Sequence, residues 1–153
     1  MDQPTQRPEK STILWLDNDP GYIYGFVMAL KGNGFAVEVA KSVAEADKLL
    51  RTRNFDVVLI DVMIPVTEAE RNDGYDAHAT DEGHKTGLEF YRRHRAIIER
   101  QGVAIAMTVR VDRAIRDEFI ASGLPAANFL TKLDVRNAND FVSAIKKRLR
   151  RAT

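Results

Sequence analysis

A doubly wound α/β domain with a central parallel five-stranded sheet is the fold class this sequence predicts. Three observations predict it: apolar runs alternate with amphipathic stretches from Thr12 to Arg151, several of those runs are unbroken, and there are five such pairs. A strand with one wet face alternates apolar and polar residues, whereas a strand covered by helices on both faces does not. Short connections between strands and helices favour a sheet wound in both directions over any other arrangement.

Each element has its own local reason. Met1 to Ser11 carries Pro4, Pro8 and no apolar period, so ordering it costs entropy with little burial in return, and a disordered tail is expected over 1–11. The strands are read at Ile13 to Leu16, Ala36 to Ala40, Val57 to Ile60, Val103 to Met107 and Asn128 to Leu130. The first helix, Tyr22 to Lys31, is stopped by Gly32-Asn33-Gly34. Ser42, with Glu45 three residues on, caps a second helix over Val43 to Arg53. Three more helices follow at Gly87 to Gln101, Arg113 to Ser122 and Asp140 to Arg151. One domain over 12–151 results, with Val66 to Thr86 as a long polar insertion after the third strand.

Composition excludes several functions. The 153 residues hold 23 Lys and Arg against 22 Asp and Glu, so the net charge of +1 offers no strong field for nucleic acid or a membrane surface. With no cysteine, disulfides, thiolate nucleophiles and iron-sulfur clusters are ruled out. The uncharged stretch from Pro20 to Leu30 is too short to span a bilayer, and Asp2 and Glu9 are unlike a signal peptide. A cytoplasmic location is expected.

Ligands of this fold class sit beyond the carboxyl ends of the strands. Asp17-Asn18-Asp19 follows the first strand, Asp61 the third, Thr108 the fourth and Thr131-Lys132 the fifth. Carboxylates gathered at one rim repel unless a cation joins them, and hard oxygen donors select Mg²⁺. A carboxylate, a hydroxyl, an ammonium and a divalent ion are what phosphoryl transfer to an aspartate requires.

Those residues resemble the receiver domain of two-component response regulators. The match rests on Leu16-Asp17-Asn18-Asp19-Pro20, Asp61-Val62-Met63-Ile64-Pro65, Met107-Thr108 and Phe129-Leu130-Thr131-Lys132, in order, over almost the whole chain. The resemblance implies the flavodoxin-like strand order 2-1-3-4-5, with Asp61 as phosphoacceptor and Asp17 as a Mg²⁺ ligand. It implies the Met63 carbonyl as a further ligand, with Asn18 or Asp19 in the metal set. Thr108 and Lys132 would contact the phosphoryl group, and Phe129 would change rotamer with phosphorylation. The output face would combine the helix at Arg113 to Ser122, the fifth strand and the last helix. The implied function is a stand-alone switch rather than an enzyme. It would take a phosphoryl group from a sensor histidine kinase or histidine phosphotransfer protein and signal to a downstream protein, with no nucleic acid or membrane involved. The oligomeric state is left open, a homodimer included.

The sequence departs from the family pattern at four places. Asn18 stands where a second acid is usual, Val109 where a small residue is usual, and Leu133 where proline usually follows the lysine. Val66 to Thr86 lengthens a connection that is ordinarily a few residues, and is read as a lid, a partner contact or an insertion without a task. These departures also fit a pseudo-receiver that docks a partner without phosphotransfer. A third reading is a haloacid-dehalogenase-type phosphatase, because Asp17-Asn18-Asp19 is similar to that family's Asp-x-Asp motif, but Asp61 would then have no role.

Other candidate features read as structural. Nothing fixes His78 and His84 as metal ligands, so no metal is predicted there. Lys146, Lys147, Arg148, Arg150 and Arg151 suit the last turns of a helix. Trp15 is read as packing, and Tyr22, Tyr24 and Phe26 as the packed side of the first helix.

Overall fold

The computed structural model describes residues 10–109, 112–131, 135 and 137–152. The strands β1 (Ser11–Leu16), β2 (Phe35–Ala40), β3 (Val57–Asp61), β4 (Val103–Thr108) and β5 (Phe129–Thr131) form one parallel sheet in the order β2-β1-β3-β4-β5. Among the described residues the helices are α1 (Pro20–Gly32), α2 (Val43–Thr52), α3 (Glu68–Asn72), α4 (Ala77–Thr80), α5 (Thr86–Gln101), α6 (Arg113–Ala121) and α7 (Ala138–Ala152). This is the doubly wound parallel α/β architecture that the unbroken apolar runs predict.

Those runs are unbroken because successive side chains enter two different cores. Ile13, Trp15, Val57, Leu59, Ile105 and Met107 pack with Ile23, Val27 and Leu30 of α1 and Phe141, Val142 and Ile145 of α7. Their neighbours Leu14, Leu16, Val58, Ile60, Ala104 and Ala106 pack on the opposite face with residues of α2, α5 and α6. Trp15 is packing, as read: its ring lies 5.2 Å from that of Phe141.

Three expectations need correction. Ser11, placed in the tail, opens β1 and pairs in register with Phe35, while residues 1–9 of that tail lie outside the described residues. Tyr22 and Tyr24 face solvent, because the buried line along α1 is Ile23, Val27 and Leu30, and its flanking positions turn outward. Asn128 belongs to a short 3-10 turn before β5, where its side-chain amide donates to the Ala104 carbonyl at 3.1 Å.

Residues 66–86, expected as a polar loop, contain two short helices. Thr67 accepts from the Glu70 N–H at 3.2 Å, and Glu70 reaches back to the Thr67 N–H at 2.8 Å, a reciprocal cap that starts α3. The other carboxylate oxygen of Glu70, itself only 2% exposed, accepts from the N–H of Ala44 in the first turn of α2 at 2.8 Å. One buried carboxylate thus closes the ends of two helices. At the far end of the insert the buried hydroxyl of Thr86 donates to the Ile64 carbonyl at 2.6 Å.

Gly87 then lets α5 start directly against β3. A Cβ at this position would fall on the Asp61 carbonyl oxygen and lie 2.9 Å from Val62 Cα, and the Gly87 N–H donates to the Val62 carbonyl at 2.9 Å. The insert and α5 therefore hold the segment from Asp61 to Ile64 from one side.

Candidate functional site

The winding reverses between β1 and β3, which are neighbours although β2 intervenes in the chain. In sheets of this kind a crevice opens where the connections diverge to opposite sides. Leu16 is in register with Ile60, so Asp17, the next residue, stands beside Asp61. At the usual spacing of parallel strands, about 4.8 Å, the two backbones are neighbours. The Asp17 N–H donates to the Ala40 carbonyl at 2.9 Å and the Val62 N–H to the Met107 carbonyl at 3.2 Å, so both strand ends are tied to the sheet.

Side-chain parity adds a second constraint. Asp17 continues the set of Ile13 and Trp15, and Asp61 continues the set of Val57 and Leu59, so both leave the sheet on the α1 and α7 side. Asp17 is 2% exposed and Asp61 half-buried. The Asp17 carboxylate accepts from the Asp19 N–H at 2.9 Å, which fixes its orientation at the mouth of α1. Two carboxylates side by side at a half-buried rim favour a cation between them.

The remaining predicted residues divide into three groups. Thr108 ends β4, is buried, and is in register with Thr131 on β5. Asp61 pairs with the preceding residue, Met107, so the Thr108 hydroxyl belongs to the same sheet edge. Phe129 is buried, its ring 5.6 Å from that of Phe119 on α6. Asp19 is used as the N-cap of α1, accepting from the Tyr22 N–H at 3.2 Å, while Asn18 is exposed. Met63 is exposed just beyond Asp61, and Val109 is 59% exposed just beyond Thr108. Lys132 and Leu133 lie outside the described residues.

Among the described residues the oxygen donors at this edge are carboxylate, amide, hydroxyl and carbonyl groups. Among the described residues no group of three or more His, Asp or Glu side chains could hold a metal ion. Mg²⁺ is commonly held by one or two carboxylates while it keeps several waters, and the Asp17 and Asp61 pair with nearby amide or backbone oxygen suits that mode.

Sequence reading missed Glu70, Thr86 and the pair Asp47 and His94, whose Nε2 and Oδ1 lie 2.7 Å apart between α5 and α2. For Glu70 a local signal existed, the Thr67-Glu68-Ala69-Glu70 cap pattern. For the others, partners 22 and 47 residues away in the chain left no local trace.

A scan of family models and a search of curated proteins returned no match. Solved structures do match. A response regulator from Thermotoga maritima is 20% identical with a TM-score of 0.67, covering 92% of this chain and 98% of that one. A CheY-like response regulator receiver domain protein from Methanospirillum hungatei is 19% identical with a TM-score of 0.71, over 94% and 96% of the two chains. The beryllofluoride-activated NtrC4 receiver domain dimer is 20% identical with a TM-score of 0.69, over 93% and 98%. At these identities the likeness speaks for the backbone and leaves the chemistry to the residues. The chain has the CheY-like, flavodoxin-type fold of response regulator receiver domains over more than nine-tenths of its length.

Proposed function

We propose that this protein is a phosphorelay receiver in which Asp61 accepts a phosphoryl group from a phosphohistidine on a sensor kinase or phosphotransfer partner. The observation that carries the reading is the placement of Asp17 beside Asp61 where the winding of the sheet reverses. The receiver fold of the matched structures supports it.

In the transfer, an Asp61 carboxylate oxygen forms the new O–P bond while the P–N bond of the donor breaks. The electron pair leaves with the imidazole nitrogen, which takes up a proton. Asp17 and Asp61, with the Met63 carbonyl and Asn18 or Asp19, would hold Mg²⁺, which when bound neutralises charge on the phosphoryl oxygens. Asp17 is held for this by the Asp19 N–H, and Asp61 by the ladders on both sides of β3. Thr108 supplies a hydroxyl donor to the transferred group and Lys132 an ammonium. Occupancy of Thr108 by a phosphoryl oxygen would draw the end of β4 inward and alter the room around Phe129, packed against α6. The changed surface of α6, β5 and α7 would then bind a downstream protein. The protein acts as a switch with one covalent event per signal, in the cytoplasm. No described helix is long and apolar enough to cross a membrane.

Asn18 in the open and Asp19 turned to cap α1 favour one alternative, a pseudo-receiver that docks its partner without phosphotransfer. Incubation with acetyl phosphate and Mg²⁺, followed by intact mass measurement, separates the two. The receiver reading expects one added phosphoryl group that disappears in Asp61→Asn. No added mass with acetyl phosphate or with a phosphorylated histidine phosphotransfer protein would leave the docking module.

A further inference from the structure

At the edge of the sheet opposite Asp61, the carboxyl ends of α2 and α5 are drawn together. Gly102 closes α5 directly against the start of β3: its N–H donates to the Ile98 carbonyl at 2.8 Å, and a Cβ there would fall on the Asp56 carbonyl oxygen. One residue earlier, the side-chain oxygen of Gln101 accepts from the Phe55 N–H at 2.9 Å, which ties the last turn of α5 to the segment leaving α2. Between the two helix ends lies an open groove of about 460 Å³, within the usual size range of small-molecule sites. Its lining holds three guanidiniums, those of Arg51, Arg53 and Arg100, and no carboxylate, while Leu50 and Ile97 add apolar wall.

The bases are only partly engaged. The carboxylates that meet them stand outside the lining: Asp47 takes Arg51 Nε at 2.9 Å, and Glu38 takes one terminal nitrogen of Arg53 at 2.7 Å. Arg51 is 72% exposed and contributes least. Arg53 is more firmly placed, because its guanidinium also lies over the Phe55 ring at 5.3 Å, and its Nε and second terminal nitrogen remain open. Arg100 makes no hydrogen bond or ion pair among the described residues, so all five of its N–H donors remain. With its oxygen held by Phe55, Gln101 keeps its NH₂ as a donor. The Thr52 hydroxyl is turned back to the Lys48 carbonyl at 3.0 Å.

Cations in the last turn of a helix offset its exposed carbonyls, and that explains one base on each helix, Arg51 and Arg100. It does not explain Arg53, which follows α2 in extended backbone, or the gathering of all three along one groove with no acid among them. The two neighbouring carboxylates offset two of the three charges, so positive charge is left on a lining whose open polar groups are mainly N–H donors. A neutral ligand leaves that charge unanswered, and a metal cation finds no carboxylate in the groove.

We propose that this groove is a second ligand site, which binds a small polyphosphate anion through Arg53, Arg100 and the Gln101 amide, with Arg51 as a looser fourth contact. A guanidinium presents its donors in a planar fork that takes two oxygens of one phosphate. A phosphate has oxygens enough to meet a second guanidinium as well, whereas a carboxylate has only two. Arginines from two helix ends are thus better matched by linked phosphates than by carboxylates. The bound anion would bridge α2 and α5 at the end of the domain remote from Asp61. The inference stands on the groove alone and survives whether or not Asp61 accepts a phosphoryl group.

The test titrates the full chain, without Mg²⁺, with inorganic tripolyphosphate, and with orthophosphate and citrate as the single-phosphate and carboxylate counterparts. NMR follows the backbone amides of Arg53, Asn54, Arg100 and Gln101. Tripolyphosphate is expected to shift them saturably below about 1 mM and to bind about tenfold more tightly than either counterpart. Arg53→Gln and Arg100→Gln should each weaken that binding about threefold, the worth of one exposed ion pair. Lys147→Gln, which removes a charge from the basic last turns of α7, should leave it unchanged. Arg53 gives up only a surface ion pair and Arg100 none, so both arginine variants keep the fold. The proposal is overturned if the groove amides do not shift, if orthophosphate or citrate binds as tightly as tripolyphosphate, or if the arginine variants weaken binding no more than Lys147→Gln does.

Discussion

Replacing Glu70 by alanine tests whether the insert is part of the folded core. The carboxylate accepts one N–H from Thr67 at the start of α3 and one from Ala44 in the first turn of α2, each at 2.8 Å. Each lost cap bond is worth about 1 kcal/mol, and the side chain's own burial adds up to about 1 kcal/mol more. The expected loss is therefore about 2 to 3 kcal/mol, or a drop of about 5 to 10 °C in Tm for a domain this size. Glu70→Gln keeps one acceptor oxygen but sets an NH₂ against a backbone N–H, so it should recover little of the loss. Urea denaturation gives the stability, and hydrogen exchange at Ala44 and Thr67 gives the site: both amides should lose protection together. A cost within about 0.5 kcal/mol, the range of ordinary surface changes, with Ala44 protection intact would refute the coupling of insert to α2.

Other expectations follow from the same geometry. Gly87→Ala places a methyl group on the Asp61 carbonyl and should both destabilise the protein by about 2 kcal/mol or more and disturb Asp61; a variant melting like the parent would contradict the close approach. Asn18→Asp adds a charge beside Asp17 and should tighten Mg²⁺ binding about tenfold, read by fluorescence of Trp15, two residues upstream of Asp17. Equal affinity would place residue 18 outside the metal set. Burial disfavours the charged form of the Asp47 carboxyl, but the hydrogen bonds and charges of His94 and Arg51 outweigh it and hold the group below its usual range. A carboxyl depressed in the folded state stabilises above its unfolded pKa of about 3.9 and loses that contribution as pH falls through the folded value. The stability gap between the parent and Asp47→Asn should thus shrink as pH falls below about 4. A gap that widens on acidification would reverse the sign assigned to this pair.

Much of this architecture was readable from the residues because one physical fact writes itself locally. Strand segments buried on both faces must be apolar without a break, and Ile13 to Leu16 of β1, Val57 to Ile60 of β3 and Val103 to Met107 of β4 are. Residues following such runs necessarily reach the carboxyl edge of the sheet, which is why the sequence alone puts Asp17, Asp61 and Thr108 there. What resisted reading depends on distant partners. The helices α3 and α4 are five and four residues long, too short to form on propensity alone, and α3 is closed against α2 by Glu70. Tyr22 and Tyr24 look like packed residues in the sequence because α1 is apolar nearly all round, so periodicity along it barely distinguishes an inner face. The groove between the ends of α2 and α5 joins residues from two separated segments, and no local pattern marks it.

A crystal structure with Mg²⁺ and beryllofluoride tests the central claim most directly. The phosphoacceptor account predicts a beryllofluoride adduct on Asp61, Mg²⁺ shared by Asp17 and Asp61, and the Thr108 hydroxyl turned to a fluorine. Asp61 left without an adduct at saturating beryllofluoride, or an ion bound away from Asp17, would contradict it.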